Sequence, residues 1–157
     1  MNNRAQQCAR EILETVPLVM RFIRNQVGRH HTTGPSLPQF RTLTFLGRMN
    51  NASLSAVAEH LGLSLPAMSR LINGLVNKRL VVRQTVLTNR RQIALTLTAQ
   101  GRATLEKVRG EIRWQLAGSL KALSATEQKT IQRGIRVLHR VFGSQPADKN
   151  LAHKIKT

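Results

Sequence analysis

Acidic side chains, cysteine and aromatics are all scarce in this chain, and each scarcity removes a class of protein. With a single cysteine, Cys8, no intrachain disulfide can form, and a reducing compartment is expected. Tyrosine is absent and aromatics make up 3% of the residues, so a core drawn from the 41% of apolar residues must be aliphatic. Packed helices suit such a core better than a β-sandwich. Long hydrophobic runs are missing too. The stretch Ile12 to Ile23 is broken by Glu14, Pro17 and Arg21, so it reads as neither a signal peptide nor a membrane span, and the protein is expected in the cytoplasm. The acids are Glu11, Glu14, Glu59, Glu106, Glu111, Glu127 and Asp148, too sparse for paired-carboxylate chemistry. Neither a Gly-rich phosphate loop nor a nucleophile elbow occurs, so no enzyme is expected.

What is present is positive charge. Against 7 acids stand 25 Lys and Arg, a formal net charge of +18 over 157 residues. No acid lies between Glu59 and Glu106, a span that holds Arg70, Lys78, Arg79, Arg83, Arg90, Arg91 and Arg102. A compact chain so charged repels itself, and a polyanion relieves the repulsion. Nucleic acid is the expected partner, an anionic membrane surface its rival, and a merely solvated basic surface the plain alternative.

The apolar pattern is helical at both ends. Ile12, Val16, Val19, Ile23 and Val27 form one stripe, with a kink or restart expected at Pro17, and 28–35 reads as a loop. Ser36 and Gln39 form a capping box that opens a helix to about Met49, with Pro38 in its first turn. Asn50, Asn51 and Ala52 read as a turn. Ser53 caps a short helix, Leu54 to Leu61, and Ser64 caps another that runs to about Lys78. Between Leu80 and Leu97 strand formers take over, with Ile93, Leu95 and Leu97 alternating and Thr88-Asn89-Arg90-Arg91 as the hairpin tip. From Thr98 a long helix carries Leu105, Val108, Ile112, Leu116 and Leu120. After a capping box at Ser124 and Glu127, a last helix carries Ile131, Ile135, Leu138 and Phe142. The expected division is 1–35, an N-terminal helix and loop; 36–98, a compact module; 99–143, two C-terminal helices; and 144–157, a basic tail. Terminal helices with so little of their own to cover argue for a homodimer, the alternative being that they pack on the chain's own module.

Leu54 to Asn73 (LSAVAEHLGLSLPAMSRLIN) meets the demands of a helix-turn-helix. Small Ala58 suits the crossing of two helices, Gly62 suits the turn, and Val57, Leu61, Leu63, Met68 and Leu71 face inward. If the second helix enters a major groove, its outward side offers Ser64, Pro66, Ala67, Ser69, Arg70 and Asn73. Arg70 is the candidate for a bidentate contact to guanine, or for simple phosphate neutralisation; amides around Ser64 are candidates for a phosphate. Asn89, Arg90 and Arg91 form a second DNA element, because a narrow minor groove attracts inserted arginine.

The run from Leu37-Pro38-Gln39-Phe40 through Ala58-Glu59-His60-Leu61-Gly62-Leu63-Ser64, Ser69-Arg70-Leu71 and Leu80-Val81 to Asn89-Arg90-Arg91 and Leu95-Thr96-Leu97-Thr98-Ala99-Gln100-Gly101 resembles the MarR family of bacterial transcription regulators. The resemblance covers about two thirds of the chain. It implies a mainly α, winged helix-turn-helix fold with a small β-hairpin wing and N- and C-terminal dimerisation helices. It further implies a triangular homodimer on near-palindromic double-stranded operators, as a repressor, with activation left open. The family's wing arginine falls on Arg91, and its recognition-helix serine and arginine on Ser69 and Arg70. Asn89 stands where the family's wing usually has Asp, and Arg79 where the turn after the reading helix commonly has Gly.

MarR-like regulators often take small lipophilic or phenolic effectors, which here implies a pocket of Met20, Ile23, Phe40, Leu43 and Trp114, unless these are ordinary core residues. Some relatives sense peroxide through an N-terminal Cys paired with tyrosines. This chain has no tyrosine and no second cysteine beside Cys8, so redox sensing is not expected. His30, His31, His60 and His139 do not fall at chelating spacings, and no metal or cofactor is expected. An architectural DNA binder without an operator remains the alternative.

Overall fold

The computed structural model describes residues 3–29, 34–86 and 89–143; the side chains of residues 86–92 lie outside that description. The elements are α1 (Asn3–Arg29), α2 (Leu37–Arg48), α3 (Leu54–Leu61), α4 (Leu65–Asn77), β1 (Val81–Val86), β2 (Asn89–Leu97), α5 (Ala99–Leu120) and α6 (Ala125–Phe142). This is the mainly helical chain with a hairpin wing that the pattern implies. It divides into two compact units, residues 1–115 and 116–157.

Serines set the helix starts. Ser36, Ser53 and Ser64 each sit in extended backbone and accept a backbone N–H three residues on; at Ser36 the Gln39 side chain completes the box. Of the two expectations at Pro17, the restart does not occur. The helix runs unbroken from Asn3 to Arg29. Proline withholds a single N–H, and 27 residues supply enough other bonds to carry the helix through. The middle of the α1 stripe stays uncovered: Val16 and Val19 are exposed, Ile12 and Ile23 half-buried and Val27 buried, and Leu13 beside the stripe is 74% exposed.

The core of the first unit joins Leu43 and Leu46 of α2, Val57 of α3, Met68, Ile72 and Leu75 of α4, Val81 and Leu95 of the hairpin, and Leu105 of α5. Each such aliphatic contributes about 1.5–3 kcal/mol by leaving water. Leu63, expected inward, is instead 37% exposed, because it follows the left-handed Gly62 (φ 69°) and is turned away from the helices. Ile72 and Leu75 take the inward places with Met68, at spacings of four and three.

The turn after α4 keeps its left-handed residue despite the missing glycine. Arg79 has φ 58°; its N–H reaches the Val76 carbonyl (2.8 Å), and the Leu80 N–H reaches that of Leu75 (2.9 Å). These are the two bonds of a Schellman closure. The Arg79 carbonyl accepts the Thr98 hydroxyl at 2.6 Å, which anchors the turn to the start of α5. A side chain in this conformation costs about 1–2 kcal/mol, offset in part by the extra freedom that glycine has in the unfolded chain. Arg79→Gly is therefore expected to raise stability by about 1 kcal/mol. Urea unfolding checks it, and a midpoint below that of the parent contradicts it.

The hairpin is antiparallel, with Val81 opposite Leu97 and Thr85 opposite Ile93. The next pair is Val86 with Asn89, so between the two pairs β2 carries Arg90, Arg91 and Gln92 where β1 carries nothing. Asn89, Arg90 and Arg91 thus belong to strand β2, not to the tip expected of them. The physical reason is a bulge, which accommodates the surplus residues on one strand and lets Val86 pair with Asn89. A third segment joins the sheet: Ala52 bridges Leu95, whose N–H donates to the Ala52 carbonyl at 2.8 Å. The expected turn at Asn50–Ala52 is present, with Asn51 left-handed at φ 59°, a conformation asparagine tolerates.

In the second unit, Ser124 and Glu127 form the expected capping box at α6. The Ser124 hydroxyl, then its backbone N–H, donate to the Glu127 carboxylate and hold its pKa below the usual 4.5. A lowered carboxylate pKa stabilises the cap above about pH 4.5, and that contribution is lost as the pH falls through the lowered value. No residue of α6 is buried, and Ile135 and Phe142 of its stripe lie exposed.

Candidate nucleic-acid interface

The helix-turn-helix is built by α3 and α4. Ala58 is buried on α3. Gly62 ends α3 in a left-handed cap, and the Leu63 N–H closes back on the Ala58 carbonyl at 2.9 Å. A Cβ there would be strained by its φ rather than by crowding, since nothing lies within 4 Å of the position.

On α4 the buried Met68, Ile72 and Leu75 define one side, and helical geometry places Pro66, Arg70, Asn73 and Asn77 on the opposite one. All four are exposed, and Ser69 and Ala67 lie half-buried on the flanks. Asn77 was not among the expected residues, although its spacing of four from Asn73 marks it. Ser64 uses its hydroxyl as the helix cap, accepting the Ala67 N–H at 3.4 Å, while its carbonyl takes the Met68 N–H at 2.9 Å. Pro66 has no N–H. The Ala67 and Met68 amides are thereby taken up within the helix start, and the phosphate seat expected around Ser64 is narrowed to the amides of Ser64 and Leu65.

Beside this row stands β1. Arg83 Nη2 donates to Asn73 Oδ1 at 2.8 Å, tying the strand to α4. Lys78 Nζ donates to Gln39 Oε1 at 3.3 Å. Both cations bond to neutral amides rather than carboxylates, so these contacts leave their charge uncompensated. The sequence reading counted Arg83 only as part of the basic span; its place beside Asn73 depends on how the hairpin folds back. Asn89, Arg90 and Arg91 lie on β2, with their side chains outside the described residues.

The residues expected to line an effector pocket have unlike surroundings. Leu43 is fully buried in the core, and Phe40 packs against that core. Ile23 is half-buried, Met20 is 46% exposed and Trp114 is 72% exposed. His30 and His31 lie outside the described residues. Among the described residues no helix is long and apolar enough to cross a membrane.

Two helices joined by a tight turn, an exposed row on the second, and a bulged basic hairpin beside it define a winged helix-turn-helix protein. The sequence model of the MarR family matches residues 33–92. Over that segment the chain is similar to the family. An HTH-type transcriptional repressor of Mycobacterium tuberculosis, Rv2887, is 29% identical over 105 residues, covering 67% of this chain and 76% of the repressor. Among solved structures, RV1404 from Mycobacterium tuberculosis superposes with a TM-score of 0.75 at 22% identity, over 94% of this chain and 99% of that one. A MarR family protein from Bacillus stearothermophilus does so with a TM-score of 0.73 at 19% identity, over 90% and 97%. An S. aureus MepR mutant bound to an oligodeoxyribonucleotide has a TM-score of 0.60 at 16% identity, over 82% and 95%.

Proposed function

We propose that the chain is a transcription repressor that binds near-palindromic double-stranded operators as a homodimer in the cytoplasm, on the nucleoid. One observation carries this reading: Pro66, Arg70 and Asn73 stand in a row directly away from the buried side of α4, beside a strand whose arginine bonds to the Asn73 amide and meets no acid among the described residues. Such a row fits a major groove, and the MepR relative is held on DNA with the same fold. Repression is the named role of the Mycobacterium relative.

In this reading residues 36–98 form the DNA lobe, 1–35 and 99–143 the dimerisation helices, and 144–157 a basic tail. The uncovered apolar residues of α1 and α6 suit pairing with a second copy. Arg70 reads a base, Ser69 bonds a base or a phosphate, and Ser64, Pro66 and Ala67 shape the approach. Asn89, Arg90 and Arg91 reach the minor groove. A small lipophilic or phenolic effector acts against Met20, Ile23, Phe40 and Trp114, with Leu43 serving the core beneath them.

Footprinting on genomic fragments tests the proposal. A bounded protected site is expected, whereas uniform coating of every fragment would mark an architectural DNA binder. Arg70→Ala is expected to relax the preference at one base per half-site, by about 1–3 kcal/mol. Equal weakening on all sequences would reduce Arg70 to a phosphate contact.

A further inference from the structure

We infer that Arg83 sets which base Asn73 selects, making the pair a guanine reader built from two elements. This deepens the proposed function and rests on it. Arginine only donates hydrogen bonds, so the atom of Asn73 facing it at 2.8 Å has to be the amide oxygen. That oxygen is held toward the strand, and the amide nitrogen is left for the groove. A free asparagine reads adenine with both ends of its amide, accepting from N6 and donating to N7. Fastened in this way, Asn73 has one lone pair of its oxygen occupied and that oxygen held toward the strand, so the face left for the groove is rich in donors. Guanine offers two acceptors, O6 and N7, on its major-groove edge, and it matches such a surface. Asn73 lies on the same exposed row as Arg70, one turn further along α4, so both reach bases of one half-site. Arg83 acts through Asn73 and is a positioning residue.

The test is selection from a DNA pool randomised across the half-site, using the full-length protein. Asn73→Ala first identifies the base position that Asn73 reads, as the one whose preference disappears. At that position the parent is expected to favour guanine over adenine about tenfold. Arg83→Met is expected to shift the ratio toward adenine by about tenfold. Arg83→Lys keeps a donor against the oxygen and retains guanine. Because a ratio at one position is read, a general loss of affinity from the missing charge cancels. In the Asn73→Ala background, Arg83→Met should change no base ratio. An unaltered ratio in Arg83→Met, or a preference that survives Asn73→Ala at every position, overturns the inference. If the parent selects no sequence at all, it is the proposed function that fails. A bounded, Arg70-dependent site with an Arg83-independent ratio sinks only this pairing. Both residues are exposed, so the variants are expected to fold, and melting curves check that.

Discussion

Gly101→Ala is expected to lower stability by about 4 kcal/mol or more, which places it among the most damaging single changes available to this chain. A Cβ at Gly101 would overlap the Leu80 carbonyl oxygen and lie 2.8 Å from its carbon, and both atoms are backbone. Neither can swing aside. The Leu80 carbonyl also accepts the Thr98 N–H at 3.1 Å, and Thr98 in turn caps α5 by accepting the Gly101 N–H at 2.9 Å. To make room, α5 must lift from the turn at Arg79 and Leu80, which loosens Leu105 in the core. For a chain of this size, 4 kcal/mol corresponds to a melting temperature lower by about 10 °C. Gly110→Ala is the control. It lies in the same helix with nothing within 4 Å, and alanine there should stabilise by about 0.5–1 kcal/mol. A Gly101→Ala melting point within about 2 °C of the parent would show that the approach of α5 to Leu80 is not as close as described.

Raising salt should release the protein from DNA with unusual steepness. If each subunit of the proposed dimer neutralises about five phosphates, the log–log slope of affinity against salt is near −9. Between 50 and 200 mM salt, affinity then falls by about 10⁵. The argument rests on charge without compensation: +18 over the whole chain, no acid between Glu59 and Glu106, and Arg83 and Lys78 bonded to amides. A titration giving a slope flatter than about −3 would contradict a footprint of that size. Few ordinary interactions of a folded surface respond to salt so strongly, which makes this the most discriminating solution measurement.

The serine caps were legible because a cap is a local device: a side-chain oxygen reaches an amide three residues away, whatever the rest of the chain does. The exposed face of α4 was legible for a similar reason, since helical periodicity alone separates Arg70 and Asn73 from Met68. Leu63 was misplaced because one left-handed residue redirects all that follows it. The wing tip was misplaced because strand register depends on the partner strand, and a bulge leaves no mark in composition. Arg79 illustrates a different limit. A left-handed side chain there is costly, yet the two closing bonds and the Thr98 hydroxyl outweigh that cost.

From the chain alone came the order of elements, the basic surface, the family resemblance and the exposed row of the second helix, all consequences of short-range spacing and composition. Tertiary structure alone decided that Arg83 meets Asn73, that Gly101 lies against Leu80, and that Arg90 and Arg91 lie in a bulge. Each of these joins segments that become neighbours only when the hairpin folds back. Such contacts depend on the positions of whole elements, and no periodicity in the sequence encodes them.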